Sequence, residues 1–264
     1  MAQAVCDLTD KVALVTGGGS GIGRGFVLSM AAKGAAVAVV DRNGEAAQQV
    51  ADEAAALGVR ARAYAADVTD AGAMQATVQD VIANLDQLDF LFANAGVLGP
   101  ADYFDITPDD WDLVLDVNVK GITHTCRAAV EHMMTRRQGR IIVTASYNGV
   151  RAGAHVIPYR VSKAAAIMYT RCLALVLAPY GITVNAICPG VTLTPMQLDY
   201  AAATAQERSI TLEQYLADRA AKIPMGEFTT IEDLTGLAEF LVSDAARLIT
   251  GQAIAPDGGV MVSS

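Results

Sequence analysis

The chain has 264 residues and a formal net charge of −9. At 53% hydrophobic and 18% charged it is too apolar to be disordered. Its acidic balance, with no basic stripe, argues against a nucleic-acid partner, because phosphate neutralisation needs clustered Lys and Arg. No apolar run reaches the 18 or so residues that span a bilayer, which argues against a membrane partner. Met1 to Lys11 carries Asp7 and Asp10 and lacks the basic start and apolar stretch of a secretory leader. Cys6, Cys126, Cys172 and Cys188 are scattered with no CxxC spacing. Free thiols in a reducing cytoplasm are therefore expected.

Short β-branched runs alternate with Ala-rich helical stretches. Val12–Val15, Ala36–Val40, Ala61–Ala65, Phe90–Phe92, Ile141–Thr144 and Thr183–Ile187 read as strands. Most are continuously apolar, as strands covered on both faces of a parallel sheet should be. Helices are expected near 22–33, 44–57, 70–85, 109–134 and 158–178. Strands separated by helix-length segments predict an α/β fold: one doubly wound, Rossmann-type parallel sheet with helices on both faces, forming a single domain over residues 1–264. Residues 191–227 break the alternation and hold an amphipathic piece around Leu212–Lys222; this segment is expected to be a substrate lid. A last short strand is expected at Gln252–Ala255.

Thr16-Gly17-Gly18-Gly19-Ser20-Gly21-Ile22-Gly23 follows the first strand and opens the first helix. Glycines let the backbone turn sharply and approach a pyrophosphate, and the helix N-terminus offers free N–H groups and a positive dipole end. No three of these glycines have strict GxGxxG spacing. Asp41 ends the second strand, where an acid can accept hydrogen bonds from ribose hydroxyls and repels a 2′-phosphate. Asp41 and the non-basic Ser20 favour NAD over NADP; Arg42, next to Asp41, could instead hold a 2′-phosphate.

Tyr159 and Lys163 are four apart at the start of a helix, on one face. A free tyrosine titrates near 10, and a fixed ammonium beside it would lower that value. Such a group suits the proton exchange of alcohol–ketone interconversion. Ser146 follows the strand Ile141–Thr144, and strand ends carry ligand chemistry in open α/β sheets.

In order along the chain, these motifs resemble those of the short-chain dehydrogenase/reductase family, in its typical, NAD-preferring branch of roughly 250 residues. The family's TGxxxGIG loop is matched by Thr16–Gly23, its Asn-Ala-Gly by Asn94, Ala95 and Gly96, and its helix asparagine by Asn118 in Val117-Asn118-Val119-Lys120-Gly121. Its serine corresponds to Ser146, its Tyr-x-x-x-Lys to Tyr159 and Lys163, and its Pro-Gly signature to Pro189-Gly190 with Thr194 following. The resemblance implies a catalytic tetrad. Tyr159 would exchange the hydroxyl proton, Lys163 would hold the nicotinamide ribose and lower the tyrosine pKa, Ser146 would orient the substrate oxygen, and Asn118 would anchor a water relay. It also implies that Asp67 and Val68 contact adenine, that Asn94–Gly96 line the ribose, and that Val191 and Thr194 meet the carboxamide. A homotetramer is implied as well. Thr192 and the pair Tyr147-Asn148 depart slightly from the family's usual residues.

For the substrate, Tyr147, Asn148, Arg151, His155, Met196 and the lid are pocket candidates, with Ser146 and Tyr159 at the reacting oxygen. Polar Asn148 and His155 suit a polyol or other hydroxylated secondary alcohol. A 3-oxoacyl-thioester reductase is the alternative enzyme; it would use NADPH and show a basic docking patch near the pocket mouth. A catalytically silent NAD-binding sensor is the alternative of another class, and it should lack a tetrad residue. His124, His132 and His155 have no metal-ligand spacing, so no metal is expected. The Ala164–Ala178 helix is too apolar to face solvent all round and is either buried or packed on another subunit.

Overall fold

In the computed structural model, residues 6–263 are described; the first five residues of the leader reading lie outside them. Seven strands among the described residues form one parallel sheet. They are β1 (Val12–Thr16), β2 (Ala36–Asp41), β3 (Ala61–Ala65), β4 (Phe90–Ala93), β5 (Gly139–Thr144), β6 (Ile182–Ile187) and β7 (Ala253–Ile254), in the spatial order β3-β2-β1-β4-β5-β6-β7. β1, β4 and β6 are buried along their whole length, as their unbroken apolar runs require. β3 is the edge strand, and its Arg62 and Ala65 face solvent.

The expected helices form, with three differences. α1 (Gly21–Ala32), α2 (Gly44–Ala55) and α9 (Ile231–Val242) cover one face of the sheet; α3 (Ala71–Leu85), α4 (Pro108–Leu115), α5 (Gly121–Arg136) and α6 (Ile157–Leu177) cover the other. The single helix expected over 109–134 is interrupted by a π-helical turn, Asp116–Lys120, which holds Asn118. Such a turn inserts one residue and is common at functional sites. α9 was not among the expected helices, although Thr230 and Asp233 form a capping box at its start and Leu234, Ala238 and Leu241 lie on its buried face. The 191–227 segment leaves the sheet and folds into α7 (Pro195–Glu207) and α8 (Leu212–Ala220), packed on each other through Ala201, Ala205 and Tyr215. Only α8 was read from the sequence.

The Ile157–Tyr180 stretch, α6 and the turn after it, is by length and composition apolar enough to cross a membrane, with a mean hydropathy of 1.5 over an 18-residue window. Arg160, Lys163 and Arg171 punctuate it, so it does not read as one apolar run in the sequence. Its inner face is packed in the core through Ala166, Ile167, Thr170, Ala174 and Leu177.

Asp89 ties the N-terminal ends of the central strands together. It is 1% exposed. Its Oδ2 accepts from Val12 N at 2.9 Å and from Gln87 Nε2 at 2.8 Å, and its Oδ1 pairs with Arg136 at 3.1 Å. Removing one partner of a buried charge pair orphans the other and leaves the Val12 N–H without an acceptor. Asp89→Ala is expected to lower the unfolding free energy by roughly 3 kcal/mol, read as a shifted urea midpoint at an unchanged slope. An unaltered midpoint would show that the pair contributes nothing.

Candidate active site

The chain leaves the C-terminal end of β1 toward β2 and β3 and returns at β4 to build the other half of the sheet. The strand order reverses between β1 and β4, which opens a crevice at their C-terminal ends. The glycine loop fills the β1 side. Gly17 and Gly21 have φ of +63° and +52°, a region that side chains rarely adopt. A Cβ on Gly23 would fall 2.0 Å from the Gly17 carbonyl oxygen, so the helix can begin this close to the loop only with glycine there. Ser20, the N-cap of α1, makes no side-chain cap bond, and no acid occupies the first turn. The first N–H groups of α1 therefore remain free donors on the cavity wall, suited to an anionic pyrophosphate. Beyond them Asp41 accepts from Gly19 N at 3.1 Å and from Asn43 N at 3.0 Å.

A chain of hydrogen bonds then crosses the strand ends. Thr16 Oγ1 donates to Phe92 O and accepts from Asn94 N at 3.1 Å. Asn94 Nδ2 donates to the carbonyls of Thr16 and Gly17 at 3.0 and 3.3 Å. Thr144 Oγ1 donates to Asn94 Oδ1 at 3.0 Å, and Lys163 Nζ donates to Thr144 O at 2.8 Å. The phosphate loop, two strand ends and the helix lysine thus form one network.

A single cavity of about 590 Å³ runs from Asp41, Asp67 and Val68 at one end to Ser146, Tyr159 and Met196 at the other. The individual residues assigned from the sequence to the cofactor or the substrate line it, including Arg42, His155 and Thr194, with the exception of Arg151. Thr194 also caps α7, accepting from Gln197 N at 3.3 Å, and packs over Gly21. Arg151 lies instead in an adjoining recess.

Asn118 does not line the cavity. It is fully buried, and its amide is engaged by Val97 N at 2.8 Å, Val97 O at 2.9 Å and Ser162 Oγ at 3.0 Å. Its side chain locks the loop after β4 onto α6. It remains close to the site, since a Cβ on Gly96 would lie 3.2 Å from Asn118 Oδ1 and 3.4 Å from Lys163 Nζ. The cavity also takes in Leu98 and Arg160, which the sequence reading passed over, and, from the expected lid, Tyr200 and Arg219, which it did not single out. Arg160 directly follows Tyr159 in the chain, while Arg219 comes from α8 and gives no local signal. Asn148 Oδ1 and Arg219 Nε are buried with no hydrogen-bond partner among the described residues.

The electrostatics differ from the sequence expectation. Burial pushes the Tyr159 phenol up to about 12; the Ser146 hydroxyl and the Arg160 charge pull it back only in part. The expected lowering by Lys163 is overridden. The ammonium lies 5.5 Å from the ring centroid and is engaged by the Thr144 carbonyl, and burial pushes it down to about 8. Desolvation is the largest cause of both shifts, and neither group contributes to the other's.

The shift on Lys163 has a measurable sign. The unfolded lysine titrates near 10.5 and the folded one near 8, so between these values the unfolded chain binds more protons and stability rises with pH. Tyr159 acts in the opposite sense only above its unfolded value near 10. Between pH 8 and about 10, the stability of the wild type minus that of Lys163→Met should climb by up to roughly 1.4 kcal/mol per pH unit. Urea titrations at several pH values test this, and a pH-independent difference would contradict it.

Comparison with known proteins places this geometry. A family profile described as enoyl-(acyl carrier protein) reductase matches residues 17–261. The chain is 37% identical over 254 residues to a D-beta-hydroxybutyrate dehydrogenase of Cupriavidus necator, covering 96% of this chain and 98% of that protein. It is also 37% identical to a monensin polyketide synthase putative ketoacyl reductase of Streptomyces virginiae, covering 96% and 97%. Among solved structures, NAD+-bound xylitol dehydrogenase superposes with a TM-score of 0.91 at 35% identity, covering 96% of this chain and 99% of that one. An actinorhodin polyketide ketoreductase variant with NADPH superposes with a TM-score of 0.92 at 29% identity, covering 96% and 98%. With the Rossmann-type sheet, the glycine loop at its switch point and this full-length likeness, the chain belongs to the short-chain dehydrogenase/reductase family and is an oxidoreductase.

Proposed function

We propose that the protein interconverts a secondary alcohol of a small hydroxylated molecule with its ketone, using NAD, with Tyr159 as the general acid/base. The observation that carries this reading is the single cavity joining Asp41 and the uncapped start of α1 to Ser146 and Tyr159. The residues fit a dinucleotide. The free N–H groups of α1 and the glycine turn would hold the pyrophosphate, and Asp41 the adenosine ribose. Asp67 and Val68 would border the adenine, Asn94–Gly96 and Lys163 the nicotinamide ribose, and Pro189, Gly190, Val191 and Thr194 the carboxamide end. Arg42 lies near enough to Asp67 to help hold that carboxyl low, so its charge is partly answered and Asp41 sets the preference for NAD. Bound NAD supplies the hydride acceptor.

The chain's own residues manage the oxygen and its proton. Ser146 Oγ orients the carbinol oxygen, and Tyr159 Oη takes its proton in oxidation and returns one in reduction. Burial keeps the phenol protonated, which suits reduction at neutral pH. Oxidation requires the phenolate, which the Ser146 hydroxyl and the Arg160 charge favour here. Asn118 holds the Val97 loop against α6, and α7 with α8 form a lid over the substrate end. One 1–264 domain thus contains both sites. The presence of Asn118, Ser146, Tyr159 and Lys163 together, and membership of a dehydrogenase family, disfavour the sensor reading.

Asn148, with its unpartnered amide oxygen, His155 and Met196 are the proposed substrate contacts. The likeness to xylitol dehydrogenase supports a polyol-like substrate, and the hydroxybutyrate dehydrogenase a small hydroxy compound. A second reading, 3-oxoacyl-thioester reduction with NADPH, is supported by the two polyketide ketoreductase relatives. Absorbance at 340 nm over polyols, hydroxy acids, cyclic alcohols and 3-hydroxyacyl thioesters, each with NAD and NADP, separates the two readings. Tyr159→Phe should lower kcat by about 10³-fold with dinucleotide binding retained, and wild-type oxidation should climb with pH as the phenol ionises. Asp41→Ala should shift the NAD/NADP ratio of kcat/KM about tenfold toward NADP, the size of one nearby charge repulsion. Turnover confined to thioesters with NADPH would replace this reading with the second.

A cytoplasmic homotetramer is part of the same proposal. The four cysteines are free of disulfides, as a reducing compartment requires. The outer face of α6 exposes Val161, Met168, Leu175 (79%) and Val176, an apolar stripe that a second subunit would cover. Leu175→Glu should reduce the particle mass measured by light scattering; a wild type that is monomeric in dilute solution would defeat the oligomer proposal.

A further inference from the structure

A second recess of about 480 Å³ adjoins the substrate end of the cavity, beneath α8. Arg151, Arg160, Arg219 and Lys222 line it, and among the described residues no carboxylate does. In a chain of net charge −9 this is a local reversal of sign. Tyr147, Arg160 and Arg219 belong to both spaces, so the recess opens onto the wall that holds Ser146 and Tyr159.

Among the described residues, the partners of these cations leave their charge unanswered. Arg151 donates to Val260 O at 2.9 Å and to Ser263 Oγ at 3.2 Å. Arg160 donates to His155 O at 2.9 Å and to Arg151 O at 2.7 Å. These acceptors are neutral and orient the guanidinium groups without neutralising them. Arg219 has only the Tyr147 hydroxyl, at 3.5 Å, and its Nε is buried with no partner. None of the four cations joins a salt bridge among the described residues. Burial, together with the neighbouring Arg151 and Arg219, pushes the Arg160 pKa down. Half-buried guanidinium groups gathered without a counter-charge are costly unless an anion completes the set. The guanidinium fork matches a carboxylate or phosphate in two-point geometry.

We propose that this recess is the anion subsite of the substrate: the alcohol carries a carboxylate or phosphate that pairs with Arg219 and Arg160 while its carbinol lies at Ser146 and Tyr159. The inference rests on the alcohol–ketone reading above and narrows its substrate class to hydroxy acids and hydroxyalkyl phosphates. It gives α8 a specific task. Arg219 comes from the lid and Arg160 from the helix of Tyr159, so an anion held between them would draw the lid onto the catalytic helix and position the substrate.

The test uses the full-length protein with NAD. The probes are 3-hydroxybutanoate, 4-hydroxypentanoate and 5-hydroxyhexanoate, each beside its methyl ester, together with 2-hydroxypropyl phosphate beside 2-propanol. The wild type should favour at least one anion over its neutral counterpart in kcat/KM by about tenfold or more, the size of one charge-assisted hydrogen bond. Arg219→Gln should bring that ratio near one, and Arg219→Lys should retain part of it. Whether a carboxylate or the phosphate shows the larger ratio identifies the acid group. The matching oxo acids, added with NADH, should raise the melting temperature of the wild type and not of Arg219→Gln. Turnover of neutral alcohols at least as fast as of anions, or an anion preference that survives in Arg219→Gln, overturns the subsite and leaves the alcohol reaction standing. A melting shift dependent on Arg219 without turnover of any alcohol keeps the subsite and overturns the reaction. Neither shift nor turnover overturns both.

Discussion

The site depends on how the strand ends are held apart and yet fixed. β1 and β4 lead into opposite halves of the sheet, so the backbone at their C-terminal ends has no further ladder to satisfy it. The Asn94 amide fills that gap. It donates to two carbonyls at the end of β1 and accepts from Thr144 at the end of β5. Thr144 in turn offers its carbonyl to Lys163. The phosphate loop and the tyrosine helix are therefore positioned by one short polar network rather than by separate packing contacts. A network of this kind is rigid only while each member is satisfied.

Burial sets the chemistry at the other end. Tyr159 and Lys163 lie in the same water-poor wall, and desolvation shifts both toward their neutral forms. A tyrosine–lysine pair read from spacing alone suggests mutual stabilisation of charge. In place, the lysine is engaged by a carbonyl, and the nearest other cation is Arg160, the next residue along the helix. Charge is also segregated along the cavity. The carboxyl groups of Asp41 and Asp67, with Arg42 beside them, line one end, whereas only cations, Arg160 and Arg219 among them, gather toward the recess at the other.

Much of this was legible in the sequence because local chemistry carries it. Strands buried on both faces read as largely unbroken apolar runs, and most of the strands were found that way; β3, at the edge, was read despite its Arg62. The turn at Thr16–Gly23 needs glycines, and the Tyr159–Lys163 pair needs helical spacing; both are patterns within a few residues. The errors have physical causes. A π turn at Asp116–Lys120 shifts the helical phase by one residue without altering composition, so 109–134 read as one helix. α7 and α9 begin with threonine caps inside a region without a strand to frame it, and their start signals went unread. Asn118 was matched to the family's motif, but its fully engaged amide became visible only when Val97 and Ser162 were brought against it.

By itself, the sequence determined the layer architecture, the glycine cradle, the acid at the end of β2 and the Ser146–Tyr159–Lys163 set. Each of these is fixed by what a few neighbouring residues can do with backbone geometry, burial or helical period. Tertiary structure alone decided that Asn94 and Thr144 bridge the loop to Lys163, that burial raises rather than lowers the tyrosine, and that Arg151, Arg160 and Arg219 converge. Those three arginines lie on a loop, the tyrosine helix and α8, and the longest gap between them spans 59 residues of sequence. No local pattern links them; the folding of α7 and α8 back over the sheet end does.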